Sequence, residues 1–249
     1  MKKEDIVING KIVFTNDHFT IIAGPCAVED EGSLVQTAAL LQKYDLKILR
    51  GGTNKLRTSP YSFQGLGENG VLLLSLVAKD HGLFSTTEIT QISEIDFLYK
   101  HIDIFLVGTR NMYNYQLLKE LSKQDKPVIL KRGMCATIKE WILAAEYLIE
   151  NGKKNIILCE RGIRTFDDTL RNTFDLAAAV YTNMNTAYHV ITDPSHATGN
   201  RELIEPLVRA SKAAGISGVM LEIHPDPEKA LSDGKQMINF QQFEKIMKI

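Results

Sequence analysis

Short apolar runs recur eight times along the chain, and each ends in a polar, charged or glycine-rich turn that a helical segment follows. The run ends lie at residues 21–26, 47–52, 83–88, 104–110, 128–132, 156–161, 190–196 and 219–224. Strand and helix signals that alternate in this way predict parallel strands joined by crossover helices. Eight such units in 249 residues predict an α/β fold, a closed (β/α)8 TIM barrel, whose active site lies at the C-terminal strand ends.

Apolar residues at helical spacing predict the crossover helices. They span residues 34–44, 71–79, 95–100, 115–123, 138–150, 170–182 and 203–214, and residues 240–249 form the predicted closing helix. Before the first barrel strand, the apolar runs 6–8 and 11–14 flank Asn9-Gly10, which supplies the positive φ of a two-residue hairpin turn. An isolated hairpin is only marginally stable in water, so we expect residues 1–18 to form a hairpin that caps the bottom of the barrel.

Length and composition predict a single catalytic barrel over residues 1–249, with no regulatory domain. The apolar fraction of 44% is ordinary for a globular protein, and the formal net charge of −1 argues against nucleic acid as a partner. Three cysteines, an odd number, do not suggest a disulfide framework. We find no signal peptide or membrane-spanning stretch in the sequence, so we expect a cytoplasmic protein with no membrane partner.

Four residues are candidate metal ligands: Cys26, His196, Glu222 and Asp233. The first three fall at the ends of predicted strands one, seven and eight, which are neighbours in a closed barrel, and Asp233 lies in the loop after strand eight. Each residue alone has an ordinary structural interpretation, since a buried cysteine is commonly a small hydrophobe and aspartate is a usual turn residue. Together, thiolate, imidazole and carboxylate favour one divalent ion of the Mn, Fe, Co or Zn class over magnesium.

Basic residues gather at the same strand ends. They are Arg50, Lys55, Arg57, Arg110, Lys131, Arg132, Arg161 and Arg164. A purely solvated set of charges would be spread over the helices and both mouths of the barrel. Because arginine binds phosphate bidentately and lysine acts as a point charge, this rim predicts a metal-assisted enzyme that acts on phosphorylated or carboxylated small molecules.

Long motifs occur in order from about residue 21 to residue 236. They are Gly24-Pro25-Cys26, Arg50-Gly51-Gly52, KLRTSPYSFQG at 55–65, GTRN at 108–111, LKRG at 130–133, CERGIRTF at 159–166, DPSHATG at 193–199 and EIHP at 222–225. Together they resemble the 3-deoxy-D-arabino-heptulosonate 7-phosphate (DAHP) synthases. The similarity is to the short type I-beta branch, which shares its core with 3-deoxy-D-manno-octulosonate 8-phosphate (KDO8P) synthase.

The resemblance implies a reaction and a set of roles. The family condenses phosphoenolpyruvate with erythrose 4-phosphate, the first step of the shikimate pathway toward chorismate and the aromatic amino acids, and the metal acts as a Lewis acid on the aldehyde. The implied metal ligands are Cys26, His196, Glu222 and Asp233. Arg110, Lys131 and Arg161 match positions that hold phosphoenolpyruvate, with Arg50 and Lys55 nearby, and Arg57 and Thr58 match those for the aldose phosphate.

Three residues are implied to be catalytic: Cys26, His196 and Lys55. Lys55 is a plausible proton donor or orienting group near the aldehyde oxygen. The resemblance also implies a homo-oligomer, specifically a tetramer. Leu56 and Tyr113 depart from the usual proline and glutamine of the family, and neither change removes a charged or ligating group.

Three other functions remain open from the sequence. KDO8P synthase uses arabinose 5-phosphate, and its loop usually carries one more residue between lysine and arginine than the single Leu56 found between Lys55 and Arg57. A sialic acid synthase-type condensation takes an acceptor without a terminal phosphate, which Arg57-Thr58 argues against. A sugar-phosphate-binding barrel without activity is the alternative that is not an enzyme.

Overall fold

Eight parallel strands close into a barrel in the computed structural model, which describes residues 2–57 and 59–249. The barrel strands are β3 (Thr20–Gly24), β4 (Ile48–Arg50), β5 (Phe84–Ile89), β6 (Ile104–Val107), β7 (Val128–Lys131), β8 (Ile156–Glu160), β9 (His189–Thr192) and β10 (Gly218–Glu222), after a hairpin of β1 (Ile6–Ile8) and β2 (Lys11–Phe14). Strand β10 closes on β3 with Gly218 opposite Thr20 and Glu222 opposite Gly24. The predicted TIM barrel is confirmed.

The helices pack outside the barrel. They are α1 (Glu31–Lys43), α2 (Gly67–Asp80), α3 (Ile95–His101), α4 (Tyr115–Ser122), α5 (Ile138–Ile149), α6 (Leu176–Asn185), α7 (Pro194–Thr198), α8 (Ile204–Ala213) and α9 (Phe240–Ile246). Most agree with the predicted helices to within a few residues. Among the residues that the structure describes, no helix is both long and apolar enough to cross a membrane.

Two helices differ from the prediction. The helix predicted to start at residue 170 begins at Leu176, because the Asp175 side chain accepts the backbone N–H of Ala178 and caps it there. The five-residue helix α7 was not predicted, since it is too short to show an apolar period. Asp193 caps α7 by accepting the His196 N–H, and Pro194 occupies its first turn, where a missing N–H costs nothing.

The N-terminal hairpin covers the bottom of the barrel, as predicted. Asn9 and Gly10 adopt φ values of 49° and 77°, the left-handed conformation that the tight turn requires. The apolar side chains of the hairpin join the cluster that fills the barrel interior, whose members include Ile6, Ile8, Val13, Phe14, Ile22, Ile48, Phe84, Ile104, Ile129, Ile157 and Met220. This apolar plug closes one mouth of the barrel.

Polar side chains replace this apolar filling at the C-terminal ends of the strands. Arg50, Lys131 and Glu222 are the last residues of β4, β7 and β10, and all three are buried. Buried charge is costly unless it is paired and hydrogen-bonded. The concentration of charge at this end therefore marks the functional face of the barrel.

Candidate active site

Four potential metal ligands converge at the floor of this face. Cys26, His196, Glu222 and Asp233 each offer one ligand atom, and these atoms all lie within 4.8 Å of one another. Cys26 Sγ is 3.3 Å from Asp233 Oδ2, and His196 Nε2 is 3.3 Å from Glu222 Oε1. One sulfur, one nitrogen and two oxygen donors suit a divalent transition ion better than magnesium, so the residues present fit the implied metal.

Local structure brings these four residues together. Glu222 ends β10, and its backbone N–H donates to Ser195 Oγ at 3.1 Å. His196 lies within α7, four residues beyond the end of β9 rather than at the strand end itself. Asp233 has a φ of 54°, a left-handed conformation that aspartate tolerates better than most residues.

Basic groups surround the ligands. Arg50 donates to Glu222 Oε1 at 3.0 Å, and Lys55 Nζ lies 3.0 Å from both the sulfur and the carbonyl oxygen of Cys26. Burial raises the pKa of the Cys26 thiol to about 12, with Glu222 adding to the rise. Burial alone would also raise the pKa of Glu222, but His196 and Arg50 hold it well below its usual range. Glu222 is therefore ready to ligate a cation at neutral pH.

A cavity of about 360 Å³ opens over His196 and Asp233, two of these four residues. Its walls carry seven cationic side chains, those of Lys55, Arg57, Arg110, Lys131, Arg161, Arg164 and Arg171, against the carboxylates of Glu88 and Asp233. Low-dielectric walls lined by one sign of charge concentrate ions of the opposite sign. The cavity is therefore built for small, highly anionic molecules.

The predicted basic rim divides into three groups. Lys55, Arg57, Arg110, Lys131, Arg161 and Arg164 line the cavity. Arg50 lies beneath it, where it also donates to the Cys26 carbonyl oxygen at 3.3 Å. Arg132 is directed elsewhere, since it bonds Asp175 at 2.9 Å and the Ala136 carbonyl oxygen at 3.0 Å. Thr58 lies outside the described residues.

Sequence reasoning missed several polar residues around the site. Arg171 lines the cavity, although it lay within a predicted helix. Gln236 is buried, donates to Glu222 Oε2 and accepts from Arg171. Asp193 bonds both His196 and Lys131. The Asp-Pro-Ser-His motif contained a signal for Asp193, because an aspartate immediately before proline is a typical helix cap.

Comparison with known proteins points to one family. The family profile described as the DAHP synthetase I family matches residues 3–249. A phospho-2-dehydro-3-deoxyheptonate aldolase of Thermotoga maritima is 46% identical over 245 residues, which is 98% of this chain and 72% of that protein. A 2-dehydro-3-deoxyphosphooctonate aldolase of Hydrogenovibrio crunogenus is 30% identical over 235 residues, or 87% of this chain and 84% of that protein.

Solved structures agree with the sequence relatives. The crystal structure of the Thermotoga maritima phospho-2-dehydro-3-deoxyheptonate aldolase (DAHP synthase) superposes with a TM-score of 0.95 at 43% identity, covering 99% of this chain and 72% of that one. A truncated form of 3-deoxy-D-arabino-heptulosonate 7-phosphate synthase from the same organism gives a TM-score of 0.91 at 40% identity, covering 99% and 90%. The likeness therefore extends over the whole barrel.

Proposed function

This chain belongs to the DAHP synthetase I family, and we infer that the cationic cavity is its active site. The enzyme is of the DAHP synthase type, which joins phosphoenolpyruvate to erythrose 4-phosphate and releases inorganic phosphate at the start of the shikimate pathway. One observation carries the assignment of the site. Four potential ligand atoms lie within 4.8 Å of one another, and two of the residues that carry them, His196 and Asp233, line a cavity together with seven cationic side chains.

The family is generally metal-dependent, and we propose Cys26, His196, Glu222 and Asp233 as the ligands of one divalent ion. When bound there, the ion supplies Lewis-acid polarisation of the aldehyde. Lys55, whose ammonium group is 3.0 Å from Cys26 Sγ, holds a proton beside the same position. Its proposed role is to orient the aldehyde oxygen and protonate it as negative charge develops there.

Phosphoenolpyruvate is proposed to bind against Arg110, Lys131 and Arg161, which line the same cavity as the proposed ligand His196. Charge-assisted hydrogen bonds from such groups are about twice as strong as neutral ones. Bound in this way, the C3 carbon forms the new bond to the aldehyde carbon of the aldose. Water adds at C2, the C2–O bond breaks, and the electron pair leaves with inorganic phosphate.

The aldose phosphate is proposed to bind Arg57. This guanidinium group lines the cavity, donates to Ser232 Oγ at 2.9 Å and lies 3.6 Å from Asp233. A phosphate at Arg57 would therefore lie within one short sugar chain of the metal ligands. Thr58 is included on the family resemblance alone.

Erythrose 4-phosphate is favoured over arabinose 5-phosphate as the aldose, since the heptulosonate relative is 46% identical and the octulosonate relative 30%. The test is phosphate release from phosphoenolpyruvate with each aldose in turn. We expect a higher kcat/KM with erythrose 4-phosphate. Equal values would revive the octulosonate function, and no turnover with either aldose would favour a binding barrel without activity.

We propose a cytoplasmic homo-oligomer, a tetramer by family resemblance, in which residues 1–249 form one catalytic barrel. Size-exclusion chromatography with light scattering tests the tetramer directly. A mass near that of one 27.9 kDa chain would contradict it.

A further inference from the structure

One buried carboxylate contacts both the metal-ligand group and the anion-binding wall. Asp193 is fully buried, and its Oδ2 accepts from His196 Nδ1 at 2.7 Å and from Lys131 Nζ at 2.7 Å. Its Oδ1 accepts the backbone N–H of His196 at 3.0 Å. We propose that Asp193 is a positioning residue that fixes the metal-binding tautomer of His196 and holds Lys131 at the cavity wall.

The first half of the proposal concerns the imidazole ring. A neutral histidine carries its proton on one nitrogen and a lone pair on the other. Nδ1 lies 2.7 Å from Asp193 Oδ2, whereas Nε2 is 3.3 Å from its nearest carboxylate oxygen. The shorter hydrogen bond holds the proton on Nδ1, which leaves the lone pair on Nε2. That nitrogen faces the ligand group, 3.3 Å from Glu222 Oε1. Partners of this kind orient metal-binding histidines in many proteins.

The second half concerns the lysine. Lys131 ends β7 with a buried side chain, yet it also contributes to the cavity wall. Its ammonium group can donate three hydrogen bonds, of which Asp193 takes one. Among the residues that the structure describes, Nζ has no second hydrogen-bond partner, so the remaining donors can face an anion in the cavity. One carboxylate oxygen therefore serves groups from both proposed sites.

Asparagine cannot replace Asp193 in this arrangement. If the amide NH2 takes the place of Oδ2, it faces two donors, His196 Nδ1–H and the Lys131 ammonium group. The histidine proton then moves to Nε2, and a protonated Nε2 cannot bind a metal. If the amide is turned over, its oxygen can still accept from Nδ1, but its NH2 then faces the His196 backbone N–H, which is also a donor, and the cap of α7 is lost. Asp193→Asn keeps the size of the side chain but changes its hydrogen-bonding pattern and removes its charge, so the experiment needs a control for charge.

The inference rests on the proposed metal site, so the experiment has one arm that needs no metal. Protein labelled with 15N at histidine is stripped with EDTA, and the tautomer of His196 is read from its ring nitrogen shifts, with His196→Gln to assign the signals. We expect Nδ1–H in the wild-type protein and a smaller fraction of Nδ1–H in Asp193→Asn. The same tautomer in both proteins would overturn the proposal.

The second arm measures Mn²⁺ binding to the stripped proteins by calorimetry, without substrate. Loss of such an orienting partner typically costs about 10–100-fold in metal affinity, which is the loss we expect for Asp193→Asn. Lys131→Met should not weaken Mn²⁺ binding, because Asp193 and His196 remain paired. Equal losses in both variants, or a loss under twofold in Asp193→Asn, would contradict the proposal.

Two control variants test whether a loss of Mn²⁺ affinity in Asp193→Asn comes from the positioning of His196 or from a general effect on folding or on charge. Asp175→Asn removes the ion pair with Arg132 at the start of α6 and keeps a side chain that can cap the helix, and Glu88→Gln removes a carboxylate from the cavity wall. Neither should lower Mn²⁺ affinity as far as Asp193→Asn does. A wild-type protein that binds no Mn²⁺ but shows the predicted tautomer would count against the metal site and leave the positioning of His196 standing.

Discussion

Arg161 and Arg132 permit one substitution to be tested in two contrasting settings. Both arginines are buried, and each directly follows a barrel strand. Arg132 is fully engaged with Asp175, at 2.9 Å, and with the Ala136 carbonyl oxygen. Arg161 contacts the Gly162 carbonyl oxygen at 3.3 Å, and its Nε finds no hydrogen-bond partner among residues 2–57 and 59–249. Arg161 is therefore a buried cation with hydrogen-bond donors still available to an anionic ligand.

The two settings predict stability changes of opposite sign. Burial lowers the pKa of Arg161, which means that its positive charge destabilises the folded protein. Replacing poorly compensated buried charge with an apolar side chain is often neutral or stabilising by about 1–4 kcal/mol. Arg161→Met should therefore fall in that range. Arg132→Met leaves Asp175 without its partner and should cost about 3 kcal/mol, near the low end for a broken buried pair, because Asp175 is partly exposed.

Binding should change in the opposite order. A hydrogen bond to a charged group contributes about 1.5–3 kcal/mol, so Arg161→Met should weaken phosphoenolpyruvate binding by roughly 10- to 150-fold. Arg132→Met removes no group from the cavity wall and should alter that affinity far less. The assays are urea unfolding without ligand and calorimetric titration with phosphoenolpyruvate.

The comparison can refute the reasoning in two ways. If Arg161→Met destabilises the protein as much as Arg132→Met does, the charge and hydrogen-bond donors of Arg161 already have partners within the fold. Wild-type affinity for phosphoenolpyruvate in Arg161→Met would remove this residue from the substrate site.

Three further outcomes are expected. Cys26→Ala should abolish most activity while the circular dichroism spectrum stays native. A strong chelator should inactivate the wild-type enzyme until a divalent transition ion is added back, and full activity in chelator would contradict the metal site. Arg57→Ala should raise the KM of the aldose at least tenfold, for the loss of about 1.5–3 kcal/mol, and that of phosphoenolpyruvate much less. Burial raises the pKa of Glu160 to about 7, so its contribution to the free energy of unfolding is complete below about pH 4.5 and is lost as pH rises through 7. Glu160→Gln should flatten this part of the plot of unfolding free energy against pH, and parallel plots for the two proteins would refute the prediction.

Much of the fold was predictable because barrel strands and their crossovers leave a repeating pattern. The predicted strand ends also indicated that Cys26, His196 and Glu222 lie close together, since a closed barrel makes strands one, seven and eight neighbours. The short helix α7 and the start of α6 at Leu176 were not predictable from apolar spacing. Both begin at single capping aspartates, Asp193 and Asp175, and of these only Asp193, which precedes a proline, carries a cap signal in the sequence.

Arg132 differs from the cavity-lining members of the basic rim for a physical reason that the sequence already contains. Side chains alternate between the two faces of a strand, so a buried interior residue fixes the direction of those that follow at even spacing. Ile129 and Ile157 pack in the barrel interior, whereas Leu130 and Leu158 belong to the outer layer.

Counting by twos from Ile129 reaches Lys131, which lines the cavity, and leaves Arg132 facing outward toward Asp175. Counting from Ile157 reaches Arg161 and leaves Glu160 facing outward. Two arginines that occupy the same place after a strand thus differ by one residue of register. The same count directs Arg50, from Ile48, and Glu222, from Met220, into the barrel, where they pair at 3.0 Å. Position along the strand identifies a charged rim, and strand parity decides which of its charges can reach a substrate.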